Sequence, residues 1–175
     1  MSAVFIGGSR RASRLNPEVR HRLDRIVDRG LRVLVGDANG ADKAVQTYLA
    51  RKAYNNVEVF CTEGICRNNV GGWKTRGVSA PGSRNGFEYY SAKDAEMARE
   101  ASVGLMLWDG RSRGTLANIT RLLEAHKKAV VYLLPEKRFL TLRGESDLHG
   151  LISSCRKHAT RTRHSSGRAS GAGLF

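Results

Sequence analysis

Residues 33–44 read Val-Leu-Val-Gly-Asp-Ala-Asn-Gly-Ala-Asp-Lys-Ala, and this stretch constrains the fold more than any other. An apolar run of Leu31 with Val33, Leu34 and Val35 stops at Gly36. A short turn of Gly, Asp and Asn follows, and a helical pattern opens at Ala41 with Asp42 in its first turn. A strand, a tight loop and a helix N-terminus in that order leave backbone N–H groups unpaired, with the positive end of the helix dipole behind them. Phosphate or sugar oxygens can sit at such a terminus, and Gly36 and Gly40 let the backbone turn sharply and approach a ligand closely. The same residues suit a plain helix cap and turn of an α/β protein, and the rest of the chain decides between the two.

The pattern recurs. Ala3 to Ile6 is an apolar run ended by Gly7-Gly8-Ser9-Arg10. A helix follows from Pro17 to Asp28, with Asn16 as its cap and Val19, Leu23, Ile26 and Val27 on one face. The second strand is Arg32 to Val35 and the third Val57 to Cys61. After a helical segment from Gly86 to Ala101, Val103 to Trp108 is a fourth strand, ending in Asp109 to Thr115. A helix from Leu116 to His126 leads to the fifth, Ala129 to Leu134. Runs apolar throughout match strands covered on both faces, and their alternation with helices indicates βαβ units. The expected fold class is therefore α/β, an open sheet of about five parallel strands in the order 3-2-1-4-5 with helices on both faces. Residues 1–155 are expected to form this domain, with a short helix over Leu148 to His158, and the basic residues 156–175 to form a disordered tail. Thr62 to Arg84, rich in glycine and arginine around Trp73, reads as a long loop, either a ligand lid or a mobile excursion.

Thirty Lys and Arg against 16 Asp and Glu give a net charge of +14. Only five of the cations follow residue 155, so most of the excess lies in the body of the chain. Such a body suits nucleic acid, or a pocket for small anions such as nucleotides. No apolar stretch reaches membrane-spanning length and no signal-peptide pattern opens the chain, so the expectation is a cytoplasmic protein with no membrane partner. Cys61, Cys66 and Cys155 are odd in number, without a CxxC pair or a His-rich companion motif. They are expected as free thiols, with no zinc cluster and no other metal or organic cofactor signature.

In an open parallel sheet, strand carboxyl ends share one edge and ligands bind where the strand order reverses. With the order 3-2-1-4-5, strands one and four flank that crevice, and Ser9 and Arg10 face Gly114 and Thr115 across it. Gly114-Thr115 opens a helix with Ser112 nearby and Arg111 or Arg113 to supply charge, which suits either a phosphate or a simple Thr cap. No Gly-Lys-Ser/Thr and no GxGxxG occurs, so neither a P-loop nor a dinucleotide fingerprint is present.

Ile-Gly-Gly-Ser-Arg after strand one, Gly-Asp-Ala-Asn-Gly-Ala-Asp after strand two, Arg84-Asn85, and Trp-Asp-Gly-Arg-Ser-Arg-Gly-Thr after strand four together resemble the SLOG superfamily. Within it they are most similar to the YspA-like group, whose relatives include the lysine-decarboxylase-like LOG phosphoribohydrolases and DprA-type proteins. The resemblance spans roughly Ala3 to Leu134. It implies a Rossmann-like sheet and a pocket for a nucleotide or nucleotide-derived ligand, without fixing a reaction. The candidate ligand contacts are Gly7, Gly8, Ser9, Arg10, Gly36, Asn39, Gly40, Arg84, Asn85, Asp109, Gly110, Ser112, Gly114, Thr115 and Asn118. LOG enzymes carry a Glu three residues after the Gly-Thr pair, where this chain has Asn118. An amide cannot serve as the carboxylate that stabilises an oxocarbenium-like centre or attacks it. Asp37, Asp42 and Asp94 are the candidate catalytic carboxylates, and Asp42 and Asp94 suit helix-dipole roles equally. The expected function is nucleotide binding, with N-glycosidic hydrolase or transferase activity as its extension. The alternatives are a nucleic-acid-binding protein using its basic body and tail, or a non-catalytic nucleotide sensor. A homo-oligomer is the expected assembly.

Overall fold

The computed structural model describes residues 2–80, 82 and 86–166. Each apolar run read from the sequence is a strand, because each is covered by helices on both sides. β1 (Ala3–Gly8), β2 (Arg32–Gly36) and β3 (Val57–Thr62) alternate with α1 (Pro17–Asp28) and α2 (Ala41–Arg51). β4 (Lys74–Val78) follows directly from the loop after β3, and α3 (Phe87–Glu100), β5 (Val103–Trp108), α4 (Arg113–Glu124) and β6 (Lys128–Leu133) complete the parallel part. A one-turn 3-10 helix at Leu134–Glu136 reverses the chain through Lys137 in the left-handed region, so β7 (Arg138–Leu142) runs antiparallel to β6 before α5 (Glu145–Ser166).

The sheet therefore has seven strands in the order β4-β3-β2-β1-β5-β6-β7, which corrects the expected five in the order 3-2-1-4-5. The five strands read from the sequence occupy its middle, and an unforeseen strand is added at each edge. β4, with the sequence Lys-Thr-Arg-Gly-Val, is polar and largely exposed, as edge strands commonly are. β7 pairs on one side only.

Side chains alternate across the sheet with period two. Val4, Ile6, Val33, Val35, Val59, Leu105 and Leu107 meet Val19, Leu23 and Ile26 of α1 and Val45 and Leu49 of α2. Phe5, Leu34, Phe60, Met106 and Trp108 point the other way, onto Met97 of α3, Ile119 and Leu122 of α4, and Leu148 and Leu151 of α5. α1 and α2 thus cover one face, and α3, α4 and α5 the other.

Three further expectations change. The stretch after β3 is not a free loop, since Gln46 donates to the Asn68 carbonyl and accepts from the Val70 N–H, and the Trp73 indole donates to the Tyr54 carbonyl at 2.8 Å. Cys61 and Cys66 are joined as a disulfide with Cα atoms 5.0 Å apart, so of the three cysteines only Cys155 is free. Glu63 and Gly64, both at positive φ, fold the chain back on itself and bring Cys66 beside the end of β3. α5 runs to Ser166, well into the segment expected to be a tail, and residues 167–175 lie outside the described ones. Among the described residues no helix is long and apolar enough to cross a membrane.

Candidate functional site

β1 and β5 are neighbours at the centre of the sheet, yet the helices that follow them lie on opposite faces. Their loops diverge, and the gap is the crevice in which ligands of open α/β sheets bind. It opens here as a cavity of about 470 Å³, with Phe5, Gly7 and Gly8 on its floor. The loops are packed too tightly for side chains at two glycines. A Cβ on Gly8 would run into the Leu107 carbonyl and Ala41, and one on Gly40, which has φ +86°, would run into the Arg10 backbone.

One wall is the start of α4. Asp109 Oδ1 accepts from the N–H groups of Arg111 and Ser112 at 2.9 and 2.8 Å and from the Ser9 hydroxyl at 3.1 Å. Burial alone would raise its pKa, but these donors hold the carboxyl below the usual range. Ser112 caps the helix, its Oγ accepting from the Thr115 N–H and hydroxyl. Among the described residues nothing takes the N–H groups of Arg113 and Gly114. Gly114 lines the cavity, and space beside its Cα is open. Two free donors at a helix N-terminus, with Arg10, Arg11 and Arg113 around them, make this end of the cavity attractive to an anion.

The opposite end is built on a lysine that the sequence reading did not single out. Lys93 is 3% exposed. Its Nζ lies 3.0 Å from Asp94, 3.6 Å from Asp37 and 4.0 Å from Asp42. Burial opposes a charged ammonium there, but the three carboxylates outweigh it and raise the pKa, so Lys93 stays charged. Asp37 accepts from Arg67 through both its backbone N–H and its guanidinium, which more than offsets burial and lowers its pKa. Asp42 has less support. Burial pushes it up to about 6 against the pull of Lys93, with Asp94 adding to the rise. Asp94 accepts from Lys93 on one oxygen and from the Asn118 amide, at 3.0 Å, on the other. Position 118 thus holds no carboxylate of its own but orients one from α3.

At the mouth stand Phe87 and Tyr90, 52% and 42% exposed. Arg67 lies 5.3 Å from the centre of the Tyr90 ring. Two exposed aromatic faces beside a polar cavity suit a planar ring.

Of the candidates from the sequence, Gly7, Gly8, Arg10, Asp42, Asp94, Asp109, Ser112, Gly114 and Asn118 line this cavity. The others are placed elsewhere. Ser9 and Thr115 are buried and tie the two loops together, their hydroxyl oxygens 3.4 Å apart. Gly36 lies behind the charged cluster, where a Cβ would crowd Asp42 and Lys93, and Asp37 is buried in its ion pairs. Asn39 accepts from Asn68, Gly40 is the seam against Arg10, and Gly110 faces Cys155. Arg84 and Asn85 fall outside the described residues. Lys93, Arg67, Arg11, Arg113, Phe87 and Tyr90 are the additions, and Lys93 left a signal. It precedes Met97 by four residues, so it sits on the inward stripe of α3, where a lysine has no business unless partnered. Neither a family model nor a curated protein matches the chain, and the reading of the site rests on its geometry.

Proposed function

We propose that the protein binds a nucleotide or nucleotide-derived ligand in the crevice between β1 and β5, and that its carboxylates are arranged for N-glycosidic chemistry. The observation that carries this reading is a single cavity with opposite chemistry at its two ends. Arg10, Arg11, Arg113 and the free N–H groups of α4 line one part, beside an Asp109 already saturated by donors. Asp42 and Asp94 around a buried ammonium line the other, with Arg67 neutralising Asp37 behind them. A phosphate fits the first end. A sugar reaching the second would meet Asp94, which the Lys93 ammonium and the Asn118 amide hold in place, one on each oxygen. A base would lie toward Phe87 and Tyr90.

Cleavage of an N-glycosidic bond needs negative charge beside the sugar carbon as it becomes oxocarbenium-like, a proton for the departing base, and a water or acceptor hydroxyl that bonds to that carbon in place of the base and gives up its own proton. Asp94 suits the first role. Asp42 suits the second, because burial keeps a proton on it up to about pH 6. Lys93 is a positioning residue, packed behind both.

Calorimetry with a panel of nucleoside monophosphates, cyclic nucleotides and NAD-related compounds tests binding, and chromatographic detection of free base tests cleavage. Binding heat with base release that Asp94→Asn abolishes is the expected result. Binding without release would favour the sensor reading, and no heat with any member of the panel would remove the proposal.

A further inference from the structure

A second hollow, of about 620 Å³, lies between the β1–α1 loop, the start of α1 and the outer face of α2. Arg14, Arg20, Lys43, Arg51 and Lys52 line it, and no carboxylate does. Asp24, outside the hollow, pairs with Lys52 at 3.0 Å and accepts from the Tyr48 hydroxyl at 2.8 Å. Among the described residues, Arg14, Arg20, Lys43 and Arg51 pair with no carboxylate, and all four are exposed. Four unneutralised cations facing one hollow repel one another, and an anionic ligand relieves that repulsion.

The shape narrows the ligand. Lys43, Thr47 and Arg51 recur every fourth residue on α2, so they stack along one face with about 6 Å between levels at the rise of an α-helix. Arg14 and Arg20 face them from the other side. Thr47 spends its hydroxyl on the Lys43 carbonyl, so α2 presents Lys43 and Arg51 two turns apart. With Arg14 and Arg20 opposite, this trough of cations suits an extended chain of charges, as in grooves that track a single-stranded backbone. The Tyr48 ring, partly exposed on the floor, holds the Lys52 ammonium 5.5 Å from its centre, which keeps a further cation at the trough. Gly40, at one end of this hollow, touches the backbone of Arg10, which lines the crevice described above. Only the two loops' contact separates the two sites. That adjacency is the one point at which the inference leans on the nucleotide reading of the crevice.

We infer that the trough between α1 and α2 binds the sugar-phosphate backbone of single-stranded nucleic acid. Fluorescence anisotropy of the full chain with labelled dT20, U20 and a 20-bp duplex, each across a sodium chloride series, tests it. The groove variant is Arg14→Gln/Lys43→Gln/Arg51→Gln. The control variant, Arg29→Gln/Lys128→Gln/Arg143→Gln, loses the same charge from exposed positions elsewhere. Circular dichroism establishes that both are folded.

The expected result is that one or both single strands bind more tightly than the duplex. The groove variant should then lose more than about tenfold in affinity at low salt, with a log–log salt slope shallower by about 2, as three lost single-strand phosphate contacts require. The control variant should stay close to the parent. The inference is overturned if neither single strand binds, if the duplex binds as tightly, or if the groove variant matches the parent. It is equally overturned if both variants lose affinity alike, which would mean attraction to net charge alone. Calorimetry of the groove variant with the nucleotide panel separates the two sites, because nucleotide binding in the crevice should survive these substitutions.

Discussion

Replacing Lys93 by Met keeps the length and apolar stem of the side chain and removes only its charge. Three carboxylates then face one another without the ammonium that lies 3.0 to 4.0 Å from each of them. At an effective dielectric of about 20, a unit pair at 4 Å is worth about 4 kcal/mol, and the closer contact with Asp94 somewhat more. Burying an ammonium costs several kcal/mol, which offsets much of this sum. What remains on deleting one partner of a buried pair is typically about 3–5 kcal/mol, most of it the penalty of the charges left behind. The loss should depend on pH with a definite sign. Removing the ammonium favours the protonated form of the carboxylates around it, above all Asp42, which burial already holds above its unfolded value, so the native state takes up protons and the damage is least in acid. Urea unfolding followed by circular dichroism should give a loss of about 3–5 kcal/mol at pH 8, shrinking by about 1 kcal/mol or more at pH 5. Adding Asp42→Asn to Lys93→Met should restore part of the stability at pH 8. A loss under about 1 kcal/mol at pH 8, or an equal loss at both pH values, would refute the cluster as the electrostatic unit described here.

Asp42→Asn by itself reports on the carboxyl that burial holds at about 6. A carboxyl whose folded pKa is raised stabilises the fold fully in acid and loses that contribution as pH rises from about 4 through 6, so the variant should fall less than the parent across this window when unfolding is followed at four or five pH values. Gly40→Ala forces a side chain to adopt φ +86° and drives its Cβ into the Arg10 backbone, so thermal melting should show a loss of about 2 kcal/mol or more and nucleotide binding should weaken with it. An unchanged melting temperature would mean that the two loops are not locked together.

The parts of the fold legible in the sequence are those where one force dominates. β1, β2, β5 and β6 are covered on both faces, so burial writes their centres as apolar runs, and β3 departs from this only at Glu58, which is buried against Arg32 and Arg76. β4 and β7 are edge strands whose existence depends on a partner already in place, and Lys74 and Arg76 look the same in an edge strand as in a loop. The glycine turns at the crevice could be read because a short strand-to-helix turn calls for glycine locally, as Gly40 at φ +86° does, although the atoms that exclude a Cβ at Gly8 and Gly40 belong to Leu107, Ala41 and Arg10, far along the chain. Asp42 and Asp94 could be proposed for similar reasons, as polar residues at predictable loop and helix positions. What brings them together is Lys93, whose meaning depends on contacts with residues far apart in the chain, and Arg67, which reaches Asp37 only because the chain folds back after β3. Ser9 and Thr115 resemble ligand donors locally, and their engagement with each other is a tertiary fact.

α3 is held very differently at its two ends. Near its C-terminus Glu100 pairs with Arg32 and Arg76, which also grip the buried Glu58 between them, and Lys127 donates to the carbonyls of Ala98 and Arg99. Its first turn begins at Gly86 with no side-chain cap and carries Phe87 and Tyr90 into solvent. The helix is a cantilever, clamped to the sheet by ion pairs at its far end and held more lightly at the tip that overhangs the crevice, where the Thr62 hydroxyl reaches the Tyr89 carbonyl and Arg67 lies over the Tyr90 ring. Bending is greatest at the tip and smallest near the clamp. A ligand of any thickness could therefore lift the aromatic lip while Lys93, in the second turn and pinned by three carboxylates, keeps its place, so the crevice can adjust its entrance without disturbing the charges at its base.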